Sequence, residues 1–125
     1  MPHFIIEYSA NLESEVDVAE LCEVIRATAA GIETFPTAGI RVRAFRADHF
    51  AIADGDAKHG FVDISIRLRE GRPQDVKQAA SAEIFAAART YLAPVIARRS
   101  LALSLEMRDI DAALSPKAGS IRDHL

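Results

Sequence analysis

The stretch that decides the fold is Phe61-Val62-Asp63-Ile64-Ser65-Ile66-Arg67-Leu68. Its even-numbered residues are all aliphatic, whereas residues 63, 65 and 67 are polar. Strict alternation of this kind is typical of a β-strand with one buried face and one polar face. We therefore predict a strand over residues 61–68 whose aliphatic side chains face the core.

Downstream of this strand, the pattern changes to a helical period. Gly71-Arg72-Pro73 predicts a turn, because glycine and proline favour turns. A helix should begin there, since proline suits the first turn of a helix. Apolar residues then recur at helical spacing at Val76, Ala80, Ile84, Ala88, Tyr91 and Val95. We expect Pro94 to kink or terminate this helix near that point. Alternation returns over residues 101–107 and predicts another strand.

Upstream, the first half of the chain repeats the same order of elements. Alternation over residues 4–8 predicts a strand, and a helical period follows from about Glu13 to Gly31. The apolar stripe of that helix comprises Val18, Leu21, Cys22, Ile25 and Ala29. Residues 40–46 predict the next strand, after the turn Phe35-Pro36-Thr37-Ala38-Gly39. A polar connection over residues 51–60 separates the two halves.

These elements predict an α+β protein in which residues 1–125 form one domain. Two β-α-β units, at about residues 2–50 and 61–109, would place two helices on one face of a four-stranded mixed sheet. A short C-terminal tail would follow, lying on the surface or on a neighbouring subunit. A ferredoxin-like sandwich has the same order of elements in an antiparallel arrangement, and it remains an alternative.

Composition excludes several classes of function. With 15 basic and 18 acidic residues the net charge is −3, which does not favour nucleic acid or a membrane surface. The lone Cys22 cannot form an internal disulfide, and His3, His49 and His59 lack metal-ligand spacing, so we expect no metal. Without a leader or a long apolar run, we expect a cytoplasmic protein.

The remaining chemistry lies at the N-terminus and in several arginines. If Met1 is removed, Pro2 presents a secondary amine, and a free α-amino group titrates near ~7.7–8.0. Modest desolvation would leave much of that amine neutral and able to act as a base. Arg41 and Arg43 share one face of the second strand, and Arg72 precedes the second helix. Their guanidinium groups could hold a carboxylate-bearing ligand.

A resemblance supports this interpretation. The sequence resembles the 5-carboxymethyl-2-hydroxymuconate isomerase family of the tautomerase superfamily from Pro2 to about Asp109. The similarity is carried by Pro2-His3-Phe4-Ile5-Ile6-Glu7, Phe35 to Arg43, Ala53-Asp54-Gly55 and Gly71-Arg72. It implies a trimeric tautomerase that needs no cofactor and shifts a proton in a dienol polycarboxylate during aromatic-acid (homoprotocatechuate) degradation.

The resemblance also implies roles for individual residues. Pro2 would be the general base, Arg41 and Arg72 would bind the substrate carboxylates and the developing oxyanion, and Arg43 would be a further substrate ligand. We expect neighbouring subunits to complete the site. Two other functions remain open: a tautomerase that acts on a different 2-oxo acid, and a small-ligand binding module without catalysis.

Overall fold

The structure is a computed structural model that describes all 125 residues. It contains four strands and two long helices in the order predicted from the sequence. In chain order these are β1 (His3–Ser9), α1 (Val18–Ala30), β2 (Arg41–Ala47), β3 (Gly60–Arg69), α2 (Gln74–Arg98) and β4 (Leu101–Ile110).

The strands form one mixed sheet in the order β2-β1-β3-β4. β1 pairs with β2 in parallel, β3 pairs with β4 in parallel, and the two β-α-β units meet through the antiparallel pair β1 and β3. A ferredoxin-like arrangement lacks these parallel pairs within each unit, so that alternative is wrong. The predicted α+β fold with two β-α-β units is confirmed.

The core lies between the sheet and the two helices. Every inward residue predicted for β3 is buried, with exposures of 0–1% at Val62, Ile64, Ile66 and Leu68. Phe4, Ile6 and Tyr8 of β1 face the same side, against Leu21, Ile25 and Ala29 of α1. Burial of alternate strand residues against an apolar helix stripe is therefore the main stabilising interaction of the fold.

The first helix begins later than the sequence pattern predicts. α1 starts at Val18 rather than near Glu13, after a 3₁₀ turn over Ala10–Leu12. The Asp17 side chain caps the helix by accepting a hydrogen bond from the Glu20 N–H at 3.1 Å. Glu13 instead accepts a 2.6 Å hydrogen bond from the Tyr8 hydroxyl. The Asp17 cap therefore sets the start of α1, which the sequence pattern placed too early.

The second helix also differs from prediction near its end. α2 continues past Pro94 to Arg98, so termination at Pro94 is wrong. Leu92 and Val95, on either side of the proline, are buried to 0% and 6% exposure, and their packing offsets the lost backbone hydrogen bond. Val76 is 36% exposed instead of buried, because the core contacts of α2 begin at Ala80.

The opposite face of the sheet is not covered by a helix. Strand register aligns Arg41, His3, Arg67 and Arg108 in one row across the four strands at the end where the chain enters β1. The next row on this face, two residues further along, includes Ser65 and Glu106. The first row therefore places three arginines on the uncovered face of the sheet, at the end where β1 begins. Neither helix has the length and apolar character needed to cross a membrane.

Candidate active site

Pro2 occupies a fixed position at the start of the sheet. It directly precedes β1 and is buried. Its carbonyl accepts a 3.2 Å hydrogen bond from the Arg41 backbone N–H, which extends the pairing of β1 with β2 by one residue. The N-terminal position that the sequence identified is therefore held by the sheet rather than frayed.

The turn before β2 packs against Pro2. Phe35 is 2% exposed and meets Phe4 edge to face, with ring centroids 5.1 Å apart. A 2.9 Å hydrogen bond from the Gly39 N–H to the Pro36 carbonyl closes the turn. The aromatic pair thus anchors the turn to the first residues of β1, and Gly39 lies directly beside the proline ring.

A cavity of about 360 Å³ opens beside the N-terminus. Met1, Pro36, Gly39 and Arg41 line one side of it. The C-terminal tail contributes further lining residues, namely Lys117, Ala118, Gly119, Ile121 and Arg122. The expectation that a neighbouring subunit completes the site stays a prediction, and within this chain the tail already contributes part of the lining.

Of the predicted arginines, Arg41 lines this cavity and Arg72 lies outside its lining. Arg41 lines it, and its Nη1 donates a 2.9 Å hydrogen bond to the Gly39 carbonyl, which fixes the guanidinium beside Pro2. Arg72 follows Gly71, whose φ of +113° places it in a conformation that favours glycine. Its Nη1 donates at 2.9 Å to the Arg69 carbonyl. Arg72 does not line the cavity in this chain, although its positive charge lowers the pKa of the Met1 amine.

The N-terminal amine lies in a positive environment. Partial burial lowers the pKa of the Met1 amine, and the charges of Lys117, Arg72, Arg69 and Arg41 lower it further. Both causes disfavour a protonated amine. None of Arg41, Arg72, Lys117 and Arg122 forms an ion pair with a carboxylate. The site therefore combines an amine that loses its proton more readily with unpaired cations, which suits a polyanionic ligand.

Arg43 lies outside this cavity. It shares the uncovered face of the sheet with Arg41, and its Nη1 is 3.1 Å from Nδ1 of His3. Because a guanidinium can only donate, this contact makes Nδ1 of His3 the acceptor. Burial, followed by Arg67, Arg43 and Arg41, lowers the pKa of His3, which is consistent with a neutral ring. The structure thus groups Arg43 with His3 rather than with the cavity.

Neither the tail cations Lys117 and Arg122 nor the turn residue Gly39 was predicted from the sequence as part of the site. Two cations flanking the small residues Ala118 and Gly119 were a weak signal, because nothing in the local pattern says what such a segment lies against. Their participation depends on the path of the tail across the end of the sheet. It could be recognised only once Met1 and the tail were placed together.

The histidines are distributed over the molecule. No group of three or more His, Cys, Asp and Glu side chains is placed to hold a metal ion. His59 lies near the opposite end of β1, where its two ring nitrogens are 2.7 Å from the Ser100 hydroxyl and 2.8 Å from an Asp54 carboxylate oxygen. These contacts tie the loop before β3 to the start of β4.

The mixed sheet built from two β-α-β units, with a proline entering β1 beside arginines, defines a tautomerase-like protein. Comparisons with known proteins narrow this class. The model of the 5-carboxymethyl-2-hydroxymuconate isomerase family matches residues 2–125. The chain is also 33% identical over 121 residues to the 5-carboxymethyl-2-hydroxymuconate Delta-isomerase of Escherichia coli, which covers 97% of this chain and 96% of that protein.

Solved structures agree. A crystal structure of a 5-carboxymethyl-2-hydroxymuconate isomerase from Deinococcus radiodurans R1 superposes with a TM-score of 0.92 and 30% identity, covering 98% of this chain and 92% of the other. A symmetric trimer described as fused 4-OT shares the fold alone, with a TM-score of 0.67, 15% identity and coverage of 93% and 91%. The chain belongs to the 5-carboxymethyl-2-hydroxymuconate isomerase family.

Proposed function

We propose that this protein is a cofactor-independent isomerase that shifts a proton in 5-carboxymethyl-2-hydroxymuconate or a closely similar dienol polycarboxylate. The observation that carries the proposal is the match to the isomerase family over residues 2–125, in a chain that seats Pro2 beside a cationic cavity. A substrate with several carboxylates fits a cavity whose cations have no acidic partners. The reaction would serve the degradation of an aromatic acid.

In the proposed mechanism Met1 is removed and the neutral amine of Pro2 acts as the general base. The amine accepts the proton of the substrate 2-hydroxyl group and returns a proton to carbon 5, which yields the conjugated ketone and regenerates the neutral amine. General acid–base catalysis of this kind contributes typically ~10²–10⁴-fold. The burial and cations that lower the pKa of the Met1 amine would act in the same direction on Pro2.

Arg41 and Arg72 would hold the substrate against this base. Arg41 is already oriented by its hydrogen bond to Gly39 and borders the cavity. Its guanidinium would bind a carboxylate or stabilise the oxyanion that develops as the hydroxyl proton leaves. Arg72 would approach from the turn before α2, where the helix N-terminus also favours an anion.

We further propose that the protein is a trimer and that Arg43 contacts substrate across a subunit boundary. The cavity of one chain is open, and Arg43 lies on the uncovered face of the sheet rather than in that cavity. As a substrate ligand it would therefore serve an adjacent subunit. The E. coli relative and the fused trimeric protein provide the precedents for the activity and the assembly, respectively.

The test is an ultraviolet assay of ketonisation with 5-carboxymethyl-2-hydroxymuconate, using protein whose intact mass shows loss of Met1. A variant with a cleavable N-terminal extension provides the matched control. We expect the extended protein to be folded but inactive, and activity to return after cleavage to Pro2. Full activity with the extension in place would exclude Pro2 as the base, whereas no activity in either form would exclude the proposed reaction.

A further inference from the structure

The segment from Lys117 to Arg122 contributes half of the residues that line the cavity beside the N-terminus. Its two cationic residues stand at either end of Ala118-Gly119-Ser120-Ile121, and both line the same space as Met1 and Arg41. Ala118 and Gly119 also line this space, and neither carries a large side chain that would fill it. The tail therefore brings two positive charges to the cavity that Arg41 also lines.

Neither tail cation is neutralised within the protein. Lys117 and Arg122 form no ion pair with an acidic side chain, in contrast to Arg26, Arg46 and Arg108, which pair with neighbouring carboxylates. Among the charges that lower the pKa of the Met1 amine, that of Lys117 has the largest effect, ahead of Arg72, Arg69 and Arg41. The ammonium group of Lys117 thus acts on the space in which the proposed base and substrate would meet.

We propose that Lys117 and Arg122 bind the additional carboxylate of a tricarboxylate substrate and so make the enzyme prefer it over a dicarboxylate dienol. This inference rests on the proposed function. Arg41 and Arg72 would account for the two carboxylates that both substrates share. A third carboxylate needs a further cationic group within the cavity, and the tail supplies two, whereas Arg43 lies outside it. Charge-assisted hydrogen bonds from lysine and arginine are suited to this role.

The experiment compares 5-carboxymethyl-2-hydroxymuconate with 2-hydroxymuconate, which lacks the carboxymethyl arm. Lys117→Met and Arg122→Met should each lower the ratio of the two kcat/KM values by ~10–100-fold, the range for loss of a hydrogen bond to a charged group. The change should lie mainly in KM. Lys117→Arg should restore much of the ratio. Rates are compared at the high-pH plateau of each variant, where changes in the pKa of Pro2 have no effect.

Lys58→Met and Arg89→Met are the matched controls, because each removes one positive charge at an exposed position outside the cavity. They should leave the ratio at the wild-type value. An equal loss for both substrates in the tail variants, or an unchanged ratio, would overturn the inference.

A binding measurement separates this inference from the proposed function. Calorimetric titration with tricarballylate and glutarate tests recognition of the third carboxylate without turnover. We expect tighter binding of tricarballylate by the wild type and loss of that preference in Lys117→Met. This result in a protein without isomerase activity would reject the proposed reaction and retain the carboxylate site. An equal affinity for both acids in wild type and variant would overturn the site.

Discussion

A β-carbon on Gly39 would lie 2.9 Å from Cδ of Pro2 and 3.2 Å from Cα of Met1. The first distance is shorter than normal contacts between carbon atoms, which are ~3.5–4.0 Å. Glycine at this position therefore allows the turn before β2 to approach the proline ring closely. Because Gly39 has no positive φ, the requirement is one of space rather than of backbone conformation.

Gly39→Ala should consequently displace Pro2 while preserving the fold. We expect kcat/KM for ketonisation to fall by ~10–100-fold, since misplacement by about 1 Å can cost two orders of magnitude. The thermal midpoint should change little. Gly31→Ala is the control, because the nearest atom to its added β-carbon is the Thr28 carbonyl oxygen at 3.5 Å. Wild-type kinetics in Gly39→Ala would show that the proline ring has room to move without loss.

Activity should depend on the protonation state of the Pro2 amine. A base must be neutral, so kcat/KM should rise with pH as the amine loses its proton, and a lowered pKa places this rise at lower pH. Arg72→Met removes a positive charge that lowers the pKa of the N-terminal amine. The acidic limb of the profile should therefore move to higher pH. Arg89→Met, which removes a charge that is not among those acting on the amine, should leave it in place.

Arg41 should be important for catalysis in its own chain. Arg41→Met removes a cation that lines the cavity and is oriented by the Gly39 carbonyl. We expect a fall of ~10²-fold or more in kcat/KM, as found when one donor to a developing oxyanion is removed. Steady-state kinetics with Arg67→Met as a second variant provide the comparison, because Arg67 shares the row with Arg41 but does not line the cavity. Equal losses would indicate a general electrostatic effect.

Arg43 offers a test of whether two subunits contribute residues to one site. If it contacts substrate in an adjacent subunit, Arg43→Met and an N-terminally extended protein should each be inactive or impaired alone. Refolding the two together would pair an intact Pro2 with an intact Arg43 in some sites, and part of the activity should return. Activity no higher than the sum of the separate preparations would assign Arg43 to its own chain or remove it from the site.

Arg99 should stabilise the far end of the sheet without affecting catalysis. Its guanidinium donates to the carbonyls of Asn11 at 3.2 Å and Lys58 at 3.0 Å and pairs with Glu15. Arg99→Met should lower the free energy of unfolding by about 1–3 kcal/mol, because these acceptors lose their partner. Arg98→Met should have a smaller effect, since Arg98 is 51% exposed and contacts Glu15 at 3.5 Å.

The pairing of Arg99 with Glu15 predicts a dependence of stability on pH. The hydrogen bond that Glu15 accepts from Arg99 lowers the pKa of Glu15 in the folded state. The resulting stability is present above the unfolded pKa of Glu15 and is lost as pH falls through the lower folded value. Urea unfolding from neutral to acidic pH should therefore show a smaller acid-induced loss in Arg99→Met than in wild type. Parallel curves would mean that the pair contributes nothing measurable.

The sequence by itself determined the order of elements and the buried faces of the strands. Alternation over residues 61–68 identified the core side chains of β3, because a period of two leaves only two faces to choose between. The resemblance to a family also singled out Pro2, Arg41 and Arg72 as candidate site residues, and their roles stay predictions. The predictions from the sequence were wrong at helix boundaries: the Asp17 cap moved the start of α1, and buried Leu92 and Val95 carried α2 past Pro94.

Only the tertiary structure decided what meets at the cavity. Gly39 and Lys117 lie far from Pro2 in the sequence. No local propensity encodes a contact between residues so widely separated along the chain. The sheet brings the turn before β2 against Pro2, and the tail then crosses the same end with its unpaired cations. Local patterns specify faces and periods, whereas the placement of distant segments follows from packing of the whole chain. This is why the strands could be predicted from sequence and the contribution of the tail to the cavity could not.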